Sequence, residues 1–97
     1  MTQAPFSSHL FDIVAPELGE GCETVQFVMW LVPVGTQVIP GERIAEILTQ
    51  GILLQLEVDV EGVLVQQLIQ PGMSIQPGKI LGVIDRGTHD SKDIKFN

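Results

Sequence analysis

Few side chains in this sequence have the chemistry of a catalyst. Cys22 is the one thiol, and His9 and His89 are the two imidazoles. A nucleophilic thiol needs a base within hydrogen-bond reach, and neither histidine stands at a spacing from Cys22 that implies such a pair. We therefore predict no catalytic constellation and no enzyme activity, and we interpret Cys22 as a small, half-buried residue.

The acidic residues are the next candidates, and they are spread along the chain without the spacing of a metal-binding loop. We interpret them as a solvated surface that also offers a docking face to a basic partner. The segment G-E-G at 19–21 is followed by strand-like sequence instead of a helix, so it lacks the setting of a dinucleotide site. The acidic residues in question are Asp12, Glu17, Glu20, Glu23, Glu42, Glu46, Glu57, Asp59 and Glu61.

Composition narrows the classes of partner. The 97 residues carry 12 acidic and 5 basic side chains, and a net charge of -7 repels nucleic acid and anionic membranes. A hydrophobic content of 44% is enough for one small core. A single cysteine rules out an intrachain disulfide, and the opening residues lack the pattern of a signal peptide, so we expect a cytoplasmic protein.

The elements that carry these residues are predicted to be strands. No window keeps apolar residues at helical spacing, and 6 prolines and 10 glycines interrupt the chain at short intervals. Short runs of alternating or β-branched residues lie between them. The predicted strands are Leu10 to Val14, Val25 to Val32, Arg43 to Leu48, Ile52 to Val58, Gly62 to Ile69 and Ile80 to Ile84.

The stretch L-T-Q-G-I-L-L-Q-L at 48–56 is predicted to be a hairpin with a tight turn at 49–51. Glycine at the third position of a four-residue turn suits the positive φ of a type II or type I′ turn. Strand alternation then separates the side chains of the second arm into two sets, one of which should face the core. One set is Ile52, Leu54 and Leu56, and the other is Leu53, Gln55 and Glu57.

The chain also repeats itself at an offset of 37 residues, which aligns 32–47 with 69–84. Gly35 then matches Gly72, and in both copies a β-branched residue and a Pro-Gly turn follow at the same distances. Two such halves would bury their apolar faces against each other as packed antiparallel sheets. The hairpin lies at the exposed end of the first half, and the two chain ends should approach each other at the equivalent place in the second half, 86–88.

Several motifs together resemble the lipoyl domain of the acyltransferase components of 2-oxo acid dehydrogenase complexes. They are P-E-L-G-E-G at 16–21, Trp30 followed by L-V-P-V-G, the repeated turns, and E-G-V-L at 61–64. The resemblance runs from about Phe11 to Asp85. It implies an all-β flattened barrel or sandwich of two antiparallel four-stranded sheets related by a quasi-twofold axis, with Trp30 packed inside it. The implied division is an N-terminal extension at 1–9, the domain at 10–86 and a flexible polar tail at 87–97.

The attachment site of that family is where this sequence departs from it. The family carries lipoate or biotin on a lysine at the hairpin tip, usually in the order D-K-A, and ungapped counting places Gly51 at the lysine and Gln50 and Ile52 beside it. An amide link to lipoate or biotin requires a primary amine, which glycine lacks. The resemblance therefore implies no cofactor at this tip. The lysines elsewhere in the chain are Lys79, Lys92 and Lys95.

Three functional hypotheses remain open. The leading one is a non-catalytic docking or assembly module for a dehydrogenase or acyltransferase component, with an apolar patch in place of the carrier lysine. The second is a working lipoyl or biotinyl carrier modified at an unusual lysine, Lys79, and the third is a domain that self-associates through the hairpin. The leucines near the tip would alternatively only thicken the edge of the core. The candidate contact residues are Leu48, Gln50, Gly51, Ile52 and Leu53.

Overall fold

The computed structural model describes residues 9–17 and 24–87, and its regular structure is a succession of short strands. The predicted all-β class is confirmed. The strands are β1 (Leu10–Val14), β2 (Val25–Trp30), β3 (Gln37–Val38), β4 (Arg43–Thr49), β5 (Ile52–Glu57), β6 (Gly62–Gln67), β7 (Ser74–Ile75) and β8 (Ile80–Asp85).

The strands form two antiparallel four-stranded sheets, as predicted. One sheet has the order β1-β8-β6-β3 and the other β5-β4-β2-β7. The two orders correspond strand by strand, because β1 and β5 are edge strands beside β8 and β4, and β3 and β7 are the opposite edges. Each half of the chain therefore contributes strands to both sheets.

The core lies between the sheets and consists largely of residues that match at the offset of 37. Phe27 and Leu64 form one such pair, and Ile47 and Ile84 form another. Burying one such side chain contributes roughly 1.5–3 kcal/mol to folding. The largest fully buried side chains are Phe27, Ile44, Ile47, Leu64, Ile69, Leu81, Ile84 and Val38.

Equivalent turns join the sheets in the two halves. The Gly35 amide donates to the Leu64 carbonyl at 2.7 Å, and the Gly72 amide donates to the Phe27 carbonyl at 2.7 Å. Both glycines have positive φ, +99° and +89°, which side chains rarely adopt. The repeat detected in the sequence is thus a repeat of backbone hydrogen bonds.

Trp30 connects the sheets. Its ring lies 5.0 Å from that of Phe27, and its Nε1 donates to the Ile69 carbonyl at 3.0 Å. The ring is half-buried and packs against the core, which agrees with its expected place in the sandwich. The matching residue is Gln67, whose Nε2 donates to the Val32 carbonyl at 2.9 Å. The same cross-sheet hydrogen bond is therefore made twice with different side chains.

Several predicted boundaries were wrong by one or two residues. Predicted strands that ran to Val32, Val58 and Ile69 end earlier, because the backbone leaves the ladder to enter the turns that follow. The two-residue strands β3 and β7 were not predicted, because two residues are too few to show alternation. Thr49 is the last residue of β4 and not part of the turn.

Some predictions concern residues outside the described ranges. These include the L-G-E-G motif at 18–21, Cys22, His89, Lys92, Lys95, and nearly all of the N-terminal extension and the polar tail. Within 9–17 and 24–87, no helix is long and apolar enough to cross a membrane.

Candidate functional site: the hairpin end

The β4–β5 hairpin closes through a two-residue turn, Gln50 and Gly51. Thr49 pairs with Ile52 on either side of it, and the two turn residues have φ values of 53° and 78°. Two consecutive positive φ values define a type I′ turn, whose twist suits a hairpin, and they exclude the type II alternative. The tip is therefore a tight and regular hairpin end.

The base of the tip is attached to the neighbouring strand. Thr49 is 6% exposed, and its hydroxyl donates to the Thr24 carbonyl at 3.3 Å. Thr49 also stands opposite Val25 in the β2–β4 pairing, and Val25 stands opposite Ile75. A row of paired residues, Thr49, Val25 and Ile75, therefore crosses β4, β2 and β7 at the hairpin end of this sheet.

The predicted contact residues differ in exposure. Ile52 is 56% exposed and Leu53 52% exposed, whereas Leu48 is half-buried opposite Leu53. Leu54 and Leu56 pack against the core, so the set that begins with Ile52 is the one that faces inward. Ile52 lies on that side but beyond the edge of the core. Two large apolar side chains therefore meet solvent directly after the tip.

Charge is distributed unevenly along the hairpin. Residues 48–56 contain no ionisable side chain. The far end of the hairpin carries the exposed pair of Arg43 Nε and Glu57 Oε2, 3.8 Å apart, followed by Asp59 and Glu61. The tip is thus a neutral, partly apolar surface on an acidic protein.

The tip residues do not fit covalent attachment of lipoate or biotin, because neither Gln50 nor Gly51 has a primary amine. Lys79 is the lysine of the described ranges, and its side chain is exposed. Its amide donates to the Gln76 carbonyl at 3.0 Å, within the turn between β7 and β8. At the offset of 37 its counterpart is Glu42, at the start of β4, and not a residue of the hairpin tip.

Metal binding finds no support in the part of the chain that the structure describes. There, no group of three or more His, Cys, Asp or Glu side chains comes together as a metal site.

Sequence reasoning did not single out Gln55, whose position at the middle of an edge strand depends on strand order. Alternation within one strand does not encode that order.

Comparison with known sequences identifies a protein family and a larger relative. A family model described as "Biotin-requiring enzyme" matches residues 12–84. The dihydrolipoyllysine-residue succinyltransferase component of the 2-oxoglutarate dehydrogenase complex of Bacillus subtilis (strain 168) is 32% identical over 80 residues, which cover 82% of this chain and 19% of that protein. The chain thus spans about a fifth of the length of this relative.

Solved structures agree with the family match. The lipoyl domain of the 2-oxoglutarate dehydrogenase complex from Azotobacter vinelandii superposes with a TM-score of 0.66 at 25% identity, covering 79% of this chain and 98% of that one. A single-chain, multi-domain long-chain acyl-CoA carboxylase gives a TM-score of 0.67 at 18% identity over 84% of this chain and 8% of its own, which shows the shared fold alone. The motifs, the paired sheets and these matches lead to one conclusion: the chain belongs to the biotinyl/lipoyl attachment domain family and is related to the lipoyl domains of 2-oxo acid dehydrogenase complexes.

Proposed function

We propose that this domain is a non-catalytic docking or assembly module that has kept the lipoyl fold and has no carrier lysine at its hairpin. The observation that carries this proposal is the tip itself. Gln50 and Gly51 occupy a regular type I′ turn where an amine would be needed. The hairpin is therefore regularly formed but has no amine at its tip to which lipoate or biotin could be attached.

The surroundings of the tip support a binding role. Ile52 and Leu53 are each more than half exposed, on opposite faces of β5 directly after the turn, and a cluster of large exposed apolar side chains is typical of a contact surface. Leu48 lies beside Leu53 on the outer face and extends the same surface. We call Leu48, Ile52 and Leu53 the hairpin patch.

The relatives indicate the class of partner. One is an acyltransferase component of a 2-oxoglutarate dehydrogenase complex and another is a lipoyl domain of such a complex. We propose that the hairpin patch contacts a dehydrogenase or acyltransferase component of a 2-oxo acid dehydrogenase complex in the cytoplasm of the host.

The test compares two leucines that are equally exposed. Leu53→Asp places a charge on the hairpin patch, and Leu10→Asp places the same charge on β1, where Leu10 is also 52% exposed. Binding to the purified dehydrogenase and acyltransferase components of the host is measured by calorimetry. We expect Leu53→Asp to weaken binding at least about tenfold and Leu10→Asp to leave it nearly unchanged. Absence of binding by the unmodified sequence, or equal losses in both variants, would contradict the proposal.

Lys79 provides the second candidate function, a carrier modified outside the hairpin. The observation in its favour is that this lysine is exposed. The intact mass of the protein isolated from its own host decides between the two. We expect the mass calculated from the sequence. An added lipoyl or biotinyl group that disappears in Lys79→Arg would instead support the hypothesis that the protein carries a cofactor on Lys79.

Self-association through the hairpin patch is tested on the same variants. The solution mass of the unmodified sequence is compared with that of Leu53→Asp by sedimentation. A monomer in both cases agrees with docking to a different protein, and a dimer that Leu53→Asp dissociates would support self-association instead.

A further inference from the structure

The β5 strand lies at the edge of its sheet. It is the outer strand of its sheet, and no other strand of the described ranges pairs with its far side. The turn fixes which residues face outward: Thr49 and Ile52 flank a two-residue loop and hydrogen-bond to each other, so alternate residues of β5 point their N–H and C=O groups away from β4. Those residues are Leu53, Gln55 and Glu57.

Apolar side chains lie along the core side of this edge. Ile52 is 56% exposed, and Leu54 and Leu56 are half-buried although they pack against the core. A strand added next to β5 would place its own alternate side chains beside these three and remove them from water. The edge therefore offers both hydrogen bonds and apolar contact, which are the two requirements of strand addition.

The end of β5 is acidic. A shallow groove of about 120 Å³ lies between the edges of the two sheets and is lined by Phe11 to Val14 and Glu57 to Asp59. Three carboxylates, those of Asp12, Glu57 and Asp59, belong to these segments. Arg43 is 3.8 Å from Glu57, in a pair whose side chains are both more than half exposed. The charge of the groove favours a cationic side chain on whatever binds there.

We propose that β5 binds an extended segment of a partner protein, which adds an antiparallel strand to the sheet. The segment has apolar residues at alternate positions, facing Ile52, Leu54 and Leu56, and a lysine or arginine at the end that reaches Glu57. This inference rests on the proposed docking function and names the form of the partner.

Two other arrangements fit the structure less well. Pairing of β5 with a second copy would bring together two chains of net charge -7 and supply no cation opposite Glu57. The other equivalent edge, β1, carries the charged Asp12 at the position that matches Gln55, and a charge in the middle of an edge strand discourages pairing. Ile13, which corresponds to Leu56, is only 7% exposed, so β1 also has less apolar surface to cover.

The probe is the capped peptide RVTVTV, whose three valines would face the core side and whose arginine would stand opposite Glu57. Binding is followed by amide chemical shifts in two-dimensional NMR spectra. We expect the largest shifts at Leu53, Gln55 and Glu57. We also expect the peptide with glutamate in place of arginine to bind at least about tenfold more weakly, because it adds a negative charge to an acidic groove.

Backbone pairing has its own controls. N-methylation of the first threonine, whose N–H would face β5, should abolish binding, and N-methylation of the central valine, whose N–H would face solvent, should not. Gln55→Pro removes one outward N–H without breaking a backbone bond to β4. Both Gln55→Pro and Gln55→Ala lose the hydrogen bond that Gln55 Nε2 donates to Glu46 Oε2 at 3.1 Å, so Gln55→Pro should weaken binding at least about tenfold relative to Gln55→Ala. Leu10→Pro makes the same change on β1, at a residue outside the groove, and should retain binding. The amide spectra confirm that each variant is folded.

Each outcome has a defined meaning. Equal binding by both N-methylated peptides, or equal effects of Gln55→Pro and Leu10→Pro, would overturn strand addition at β5. A dimer of the free protein that Gln55→Pro dissociates would assign the edge to a second copy. If the components of the complex bind and Leu53→Asp weakens them while Gln55→Pro does not, docking stands and strand addition fails.

Discussion

The β4–β5 hairpin and the β8–β1 pair occupy equivalent places in the two sheets, yet only the first is closed by a turn. Leu10 stands opposite Asp85 as Leu53 stands opposite Leu48, and Leu10 and Leu53 are equally exposed. In the second half the Arg86 amide donates to the His9 carbonyl at 2.6 Å, where the first half has its turn. The repeat thus presents two similar edges, of which one ends in a neutral hairpin and the other in a backbone hydrogen bond between the two ends of the domain.

A second difference between the halves lies inside the sandwich. Trp30 and Gln67 make the same cross-sheet hydrogen bond, but only Trp30 adds an aromatic ring to the contact. The ring reaches Gly82, whose counterpart in the other half is Ala45. The two halves therefore share a backbone plan and differ in how they fill the same space.

The largest expected effect on stability distinguishes Trp30 from Gln67. Trp30→Ala removes a ring packed on Phe27 together with its hydrogen bond and should lower the free energy of unfolding by roughly 3–5 kcal/mol. Gln67→Ala removes one hydrogen bond and should cost about 1 kcal/mol. Urea unfolding of both variants measures the difference. Equal losses would mean that the ring contributes no more than its hydrogen bond.

A smaller effect is expected at Gly82. A Cβ there would lie 2.6 Å from the Gln66 carbonyl oxygen and 2.9 Å from Cη2 of Trp30. Because the first of these atoms belongs to the backbone, Gly82→Ala should cost about 2 kcal/mol. In Trp30→Phe, with its shorter ring, thermal unfolding should show a smaller cost for the same change. An unchanged cost would show that the backbone contact alone sets it.

The sequence was sufficient to predict a fold of two similar halves but not the orientation of the edge strand β5. Repetition of Gly35 and Gly72 predicted two similar halves, because a positive φ at a sheet crossing restricts the residue type. Alternation in β5 left two orientations open, since apolar residues occur on both of its faces. Only the packing of Leu54 and Leu56 against the core distinguishes them.

The candidate site was predictable only in part, for a related reason. The absence of an amine at the tip can be read directly from Gln50 and Gly51. The outward backbone of Gln55 depends on which strand lies beside β5, and that neighbour is set by contacts between residues distant in sequence. A charge pattern likewise does not show that Asp12 and Glu57 border one groove.

The smallest expected effect concerns the turn that distinguishes the two edges. Gln50 has a φ of 53°, a region that side chains other than Asn and Asp adopt at a cost, and its counterpart at the offset of 37 is Gly87, with a φ of 76°. Asn-Gly is the preferred pair for a type I′ turn, so Gln50→Asn should raise the free energy of unfolding by about 0.5 kcal/mol, which amounts to about 2–4 °C in Tm for a domain of this size. Gln50→Ala, which lacks the local hydrogen bonds that favour asparagine in this conformation, should show no such gain. A lower Tm in Gln50→Asn would mean that contacts of the glutamine side chain outweigh the backbone preference, and that this tip is stabilised by its side chains as well as by its turn.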